Sequence, residues 1–267
     1  MITWKYKAWR GVGVAAVLGL AACGGEAGES GAASGEGGES AAATGEAGEA
    51  AIGEAGGEHG EAGVATAYAG LEGEARTALR LQHLRGFALI AERELRDGGD
   101  AAAASALLQQ GLLEVYDPAI DQFGAFDVSQ LRLAAAATDR AQLEAALHAS
   151  EAAFNTAGAG LDANAADVAA RMVDLATGLY QHVNQDGAVD PIEYQHSLGA
   201  ALAARQALNA HATELRGTNA RAYSDASAEI ERFIALWPES TAPAQPASYQ
   251  HVLAQSSRVR LSLSPFL

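Results

Sequence analysis

The stretch Leu81-Gln82-His83-Leu84-Arg85-Gly86-Phe87-Ala88-Leu89-Ile90-Ala91-Glu92-Arg93-Glu94-Leu95 decides the fold. Leu81, Leu84, Ala88, Ala91 and Leu95 recur at steps of three and four, the period of one face of an α-helix. His83, Phe87 and Ile90 form a shorter stripe beside it, which the charged Glu94 ends. A helix with so wide an apolar face belongs in the middle of a bundle, covered on more than one side. The turn Asp97-Gly98-Gly99-Asp100 stops this helix and starts the next.

The same period continues toward the C-terminus. A second helix runs to about Tyr116, where Asp117-Pro118 bends or ends it, because proline lacks the donor that a helix interior needs. Further helices are expected near residues 129–137, 139–156, 165–183, 191–215, 220–236 and 249–258. Thr138, Asn164 and Asp190 are the expected N-caps. Runs of alternating β-branched residues are few and no strong hairpin signal stands out. Gly158-Ala159-Gly160, with Ala163 beyond it, has the small residues of a phosphate loop but no preceding strand, so it reads as an inter-helix connection. No repeat at solenoid spacing is visible. The expected architecture over residues 64–267 is therefore all-α, an antiparallel bundle of about seven or eight helices in one domain.

Upstream the composition changes. From Gly24 to Gly63 the chain is mostly Gly, Ala, Glu and Ser, with no Lys or Arg and Ile52 as its only large aliphatic residue. Such a segment buries too little apolar surface to offset its ordering entropy, and its like charges extend it. It reads as a disordered acidic stalk over residues 23–63, in which His59 is a solvated loop histidine. Before it, Lys5, Lys7 and Arg10 precede an uncharged run from Gly11 to Leu20, too short to span a bilayer. Leu20-Ala21-Ala22-Cys23 then resembles the lipobox cut by bacterial lipoprotein signal peptidase. The resemblance implies a signal peptide over residues 1–22 and acyl chains on Cys23, the only cysteine of the chain. It also implies a partner, the lipid membrane, and a location: the bacterial cell envelope, with Gly24 favouring an outer membrane facing the periplasm. The 267 residues carry 33 acidic and 17 basic side chains, a net charge of −16. That excludes nucleic-acid binding, which needs a basic footprint.

The richest stretch for chemistry runs from His182 to Tyr194. Asn184, Asp186, Asp190 and Glu193 overlay positions 3, 5, 9 and 12 of a calcium-binding EF-hand loop, with Gly187 at its sharp turn and His182 in place of the first aspartate. A metal-free reading accounts for the same residues. Asp186-Gly187 makes a turn, Asp190 caps the next helix, Pro191 opens it, and Glu193 completes a capping box. Glu193 and His196 also share a helix face, as in helical dimetal sites. His148 with Glu151, and His211 with Glu214, have the same spacing in reverse order and read as solvated neighbours. His83 lies on an apolar stripe, where a histidine is usually hydrogen-bonded within a core. Glu92 and Glu114, beside Tyr116, either face solvent or need a cation if they turn inward.

Two stretches carry a family resemblance. One runs from Leu179-Tyr180 through Asp186-Gly187 to Glu193-Tyr194-Gln195 and Leu198-Gly199; the other from His83 through Glu92 to Glu114-Val115-Tyr116. Together they resemble helical periplasmic proteins linked to bacterial iron uptake, the imelysin-like lipoproteins and the extracytoplasmic helical domain of high-affinity iron permeases. His148-Ala149-Ser150-Glu151 keeps half of the imelysin signature, with Ala146 where that signature has glycine. The resemblance implies a metal-binding accessory protein serving a membrane transporter. Iron is then the expected cofactor, ahead of calcium, and His83, Glu92, Glu114, His182, Asp186, Glu193 and His196 are the candidate ligands. The alternative is a metal-free scaffold lipoprotein. No enzyme motif is present in a supporting context, so catalysis is not expected.

Overall fold

The computed structural model describes residues 61–267 apart from Asp186. The signal segment, Cys23 and His59 lie outside the described residues, as does Asp186. The chain is an all-α bundle, with nine α-helices among the described residues. None of these helices is long and apolar enough to cross a membrane.

Helix α1 spans Glu61–Tyr68, and α2, Gly73–Arg96, is the helix expected from the opening stretch. Leu81, Leu84, Ala88, Ala91 and Leu95 are all buried, as are Phe87 and Ile90. Asp97 ends α2, Gly98 turns with φ 95°, and Asp100 caps α3 (Ala101–Gly111) by accepting from the Ala103 amide at 2.7 Å. A π-helical turn over Leu112–Tyr116 and a 3₁₀ segment over Asp117–Gln122 follow. The expected break at Asp117-Pro118 is therefore real, but the α-helix has already widened at Leu112. Helices α4 (Ser129–Ala135) and α5 (Arg140–Ala159) pack on each other, and α5 lies along α2.

Helices α6 (Ala165–Tyr180) and α7 (Pro191–Ala210) form a tightly packed hairpin. Asn164 caps α6 and Asp190 caps α7, as expected. The cap of α5 is Asp139, not Thr138, which stands one residue too early; the Asp139 carboxylate accepts from the Gln142 amide. Between α6 and α7 sits a two-stranded hairpin, Asn184–Gln185 against Ala188–Val189, with Gly187 at φ 81°. Its strands are only two residues each, which explains why no alternating pattern announced it. Helix α8 (Ala212–Ile234) is interrupted at Asn219, whose φ and ψ of −157° and 93° are extended and whose side chain accepts from the Ala222 amide. The helix expected over 191–215 thus ends early, at Ala210, and the expected start near Ala220 is the kink inside α8. Residues 235–248 then cross the bundle, anchored by Trp237, whose indole donates to Ser197 Oγ at 3.0 Å. Helix α9 (Tyr249–Leu263) closes against α6 and α8.

The centre of the bundle is the crossing of α2 over α7. A Cβ built on Gly86 would sit 2.9 Å from the Gly199 carbonyl oxygen, and one on Gly199 would sit 2.8 Å from that of Gly86. Backbone meets backbone there, so neither position has room for a methyl group. Gly63 of α1 and Gly178 of α6 make a second such contact, at 2.8 Å and 2.6 Å. Beside the first crossing the guanidinium of Arg85, 2% exposed, bonds to the Glu151 carboxylate and donates to Asn155 Oδ1 at 2.8 Å. A charge so buried needs both acceptors.

In a helix interior alanine is better than glycine by about 1 kcal/mol. Forcing a methyl group into a filled core costs about 1–3 kcal/mol. At Gly86 the obstacle is backbone and cannot swing aside, so the second effect wins. Gly86→Ala is expected to lower the unfolding free energy by about 1–2 kcal/mol in denaturant titration. Gly158→Ala, with nothing within 4 Å of its Cβ, is expected to be neutral or stabilising by up to about 1 kcal/mol. A stable Gly86→Ala protein would show that the helices are not in backbone contact.

Candidate functional site

Each glycine of the central crossing follows a histidine by three residues: His83 precedes Gly86 and His196 precedes Gly199. The helical period therefore puts both imidazoles one turn from the crossing. With Phe87 and Ile90 they line one narrow gap between α2 and α7, too tight to admit a water molecule. The Phe87 ring lies edge-on to His196, centroids 4.8 Å apart. It needs Gly111 of α3 to fit, because a Cβ there would come within 2.6 Å of Phe87 Cγ.

The two histidines have different partners. Tyr68, at the end of α1, places its hydroxyl 3.2 Å from His83 Nδ1, and Arg80 stacks on the same Tyr68 ring. Burial pushes His83 down to about 3, helped by His196 and Arg80. His196 is turned toward the end of α3 and the π turn. Its Nε2 lies 3.2 Å from Gln110 Oε1 and its Nδ1 3.9 Å from Glu114 Oε2. Burial lowers His196 to about 4, against a smaller opposing pull from Asp190. Both rings are therefore neutral at physiological pH.

Glu193 stands one turn before His196 on α7. The capping box expected for it does not close. Asp190 accepts from the Ile192 and Glu193 amides, but the Asp190 amide donates to the Val183 carbonyl at 2.8 Å. The hairpin has taken the donor that Glu193 would have met, and Glu193 Oε2 is buried with no hydrogen-bond partner. Burial raises its pKa to about 7, reinforced by Asp190 and Glu114. Desolvation raises Glu114 as well, although half of its side chain is exposed.

The structure thus brings together three residues expected from the sequence, Glu114, Glu193 and His196, with His83 behind them across the gap. Glu92 is not part of this group. It lies more than two turns further along α2, in a separate open cleft of about 260 Å³ lined also by Arg96, Arg140, Glu144, His148 and Glu151. Burial raises its pKa and Glu151 adds to the effect. His182 sits in the turn after α6, where its amide donates to the Leu179 carbonyl at 3.0 Å. Of the EF-hand-like positions, Asn184 pairs with Val189 through the hairpin backbone and the Asp190 side chain is a helix cap. Among the described residues no three His, Cys, Asp or Glu side chains converge tightly enough to hold a metal ion as they stand. Sequence reasoning missed Gln110 and Tyr68. The only signal for Gln110 is its spacing of four residues from Glu114, on what reads as one helix face.

No protein-family model, curated protein or solved structure matches this chain.

The buried histidines set a pH dependence. His83 has an ordinary value of 6.5 when unfolded and about 3 when folded. Its contribution is intact above 6.5 and is lost as pH falls from 6.5 toward 3, because only the unfolded chain takes up the proton. His196 acts in the same sense down to about 4. Glu193, raised from 4.5 to about 7, opposes them between those two values. Glu92, Glu114 and Asp174, also raised by burial, act in the same sense as Glu193, so the expectation is set by the His83 contribution alone, which acid removes. Each proton has a limiting slope of about 1.4 kcal/mol per pH unit. His83→Gln is expected to shed one proton's worth of that slope when unfolding free energies are compared at pH 6.5 and 4.5. Equal slopes in the two proteins would mean that His83 is protonated in the fold.

Proposed function

We propose that the protein is a lipid-anchored lipoprotein of the bacterial envelope whose helical domain binds a metal cation at Glu114, Glu193 and His196. In this reading it serves as an accessory to metal uptake, with iron the expected cargo and a membrane transporter the expected partner. The observation that carries it is the buried, unpartnered Oε2 of Glu193. A carboxylate stripped of water and left without a donor costs stability unless a cation meets it. His196 and Glu114 supply the other donors. The imidazole is neutral, as a ligand must be, and faces a carboxylate whose own pKa is raised. Glu193 lies one helical turn from His196, and Glu114 is among the charges that raise its pKa. Rotation of the Glu193 side chain toward that pair would complete three protein ligands.

A second reading is a metal-free scaffold that presents the bundle to envelope partners. It is favoured by the lack, among the described residues, of a ready-made three-ligand group. Titration of the full chain in detergent with Fe²⁺, followed by elemental analysis, separates the two. One equivalent is expected to bind, with affinity weakened about tenfold or more in Glu193→Gln and in His196→Ala. Failure of the intact protein to hold any cation would leave the scaffold.

The anchor has its own test in composition. The only lysines are Lys5 and Lys7. A chain cut before Cys23 therefore carries no lysine, and its one amine is the α-amino group of Cys23. Membrane-extracted protein is expected to take at most one amine-reactive label, and none if that amine is acylated. The Cys23→Ser chain is expected to retain both lysines and label on them. Lysine labelling of the wild-type protein would show that the N-terminal segment is not removed.

A further inference from the structure

The cleft of about 260 Å³ between α2 and α5 is lined by five charged side chains and His148. Arg140 pairs with Glu144 at 2.7 Å and donates to the Leu95 carbonyl, and Glu151 is the counter-ion of the buried Arg85. Glu92 and Arg96 remain, one helical turn apart on α2. A glutamate four residues before an arginine is the favoured order for a helix ion pair. That pair is not made: Arg96 Nε points at the Glu92 main-chain carbonyl at 3.4 Å, and neither charge has a salt bridge among the described residues. Burial and Glu151 raise the pKa of Glu92, against smaller opposing pulls from Arg96, Arg85 and His148.

The cleft is also dipolar. Arg85 meets Glu151 near one end and the Leu95 carbonyl meets Arg140 near the other, so α5 runs antiparallel to α2. The step from Glu92 to Arg96 therefore leads from the Glu151 end to the Arg140 end. Four residues advance a helix by about 6 Å. A molecule with an ammonium and a carboxylate on one carbon bridges such a span through charge-assisted hydrogen bonds of about 2.8 Å at each end. An ion of one sign would leave the other charge unmatched. Leu95 and Leu147 supply an apolar floor. Ligand sites usually measure about 300–1,000 Å³, so the occupant is small.

We propose that this cleft binds a small zwitterion, an amino acid with a short aliphatic side chain, with its ammonium on Glu92, its carboxylate on Arg96 and its side chain on Leu95 and Leu147. The site shares no residue with the cation-binding group and does not rest on it. The ligand supplies what the fold leaves open. Glu92 gains a charged donor in place of lost water, and the Arg96 fork gains a carboxylate that it can hold with two parallel bonds.

The test uses the full chain in detergent, with L-valine as the probe. Two truncated relatives are the controls: isobutylamine, which lacks the carboxylate, and isovalerate, which lacks the ammonium. Calorimetry reads affinity, and the ¹⁵N shift of Arg96 Nε, assigned against Arg96→Gln, reads the place of binding. Valine is expected to bind with a millimolar or tighter Kd and to move the Arg96 signal. Each control is expected to bind at least about tenfold more weakly, because it lacks one charge-assisted contact. Glu92→Gln and Arg96→Gln, compared at equal melting temperature, are each expected to weaken valine at least about tenfold. The Glu92 carboxyl, followed by its ¹³C shift, is expected to titrate at lower pH with valine bound than without. Isobutylamine or isovalerate binding as tightly as valine would overturn the proposal by making the cleft a site for one charge only. Unchanged affinity in Glu92→Gln or Arg96→Gln would overturn it too, as would the lack of any saturable response to valine in the millimolar range.

Discussion

The backbone contact between Gly86 and Gly199 is the constraint on which the rest of the structure depends. Helices usually pack with axes 8–10 Å apart because side chains hold them off. Here α2 and α7 touch through main-chain atoms on both sides. Several features follow from that approach. The side chains flanking each glycine are drawn into one narrow layer, which puts His83, His196 and Phe87 around a gap without room for water. Phe87 then needs a glycine opposite it on α3, and Gly111 provides one. The backbone changes from α to π helix at the next residue, so that Glu114 leaves the helix beside His196. Single π turns recur at functional positions because they re-aim side chains inside an otherwise regular helix.

The same layer carries an unusual electrostatic load. Arg85, adjacent to Gly86, is nearly inaccessible and is satisfied by Glu151 and Asn155 of α5. Loss of either partner from a buried ion pair is far more costly than the pair is stabilising, so α5 is pinned to α2 chiefly by specificity. The apolar surfaces around it would pack in several registers; the guanidinium accepts one. Further along, the Leu95 carbonyl accepts from Arg140, which fixes α5 antiparallel to α2. The charged cleft that holds Glu92 lies along this seam.

Most of the fold was legible because it rests on local rules. The apolar period of α2, the Asp-Gly-Gly-Asp turn, the caps at Asn164 and Asp190 and the break at Asp117-Pro118 all depend on residues within a turn or two of one another. Non-local features were not legible. Helix α1 begins in sequence that composition alone assigns to the stalk, since it is helical by virtue of Gly63 meeting Gly178 and Arg171 bonding the Ala67 and Ala69 carbonyls. The β-hairpin between α6 and α7 is too short for a period of two to show. Of the site, Glu114, Glu193 and His196 were legible as metal-ligating residue types. Their meeting was not, because Gln110 and His196, which touch in the fold, lie 86 residues apart in the chain. Glu92 is a carboxylate like Glu114 and Glu193 and shares α2 with His83, but its turn faces α5.

Glu193 is where the local and non-local levels disagree, and the disagreement is informative. By local rules a glutamate three residues after a capping aspartate turns back to the cap's amide and stabilises the helix start. Here the β-hairpin takes that amide for the Val183 carbonyl. The helix keeps its cap through Asp190 alone, and Glu193 becomes a cost: a desolvated carboxylate with a free oxygen, beside a second carboxylate at Glu114. An unsatisfied buried acceptor costs about 1–3 kcal/mol. An apolar residue at position 193 would remove that cost without disturbing the cap. A bundle serving only as a surface for partners has no use for it. That cost stands one helical turn from His196, whose Nδ1 lies 3.9 Å from the half-exposed carboxylate of Glu114. The proposed cation binding would give that cost a use, which a passive scaffold would not. Glu94 on α2 carries a similar unpartnered oxygen, so the neighbours of Glu193, and not the cost alone, carry the proposal.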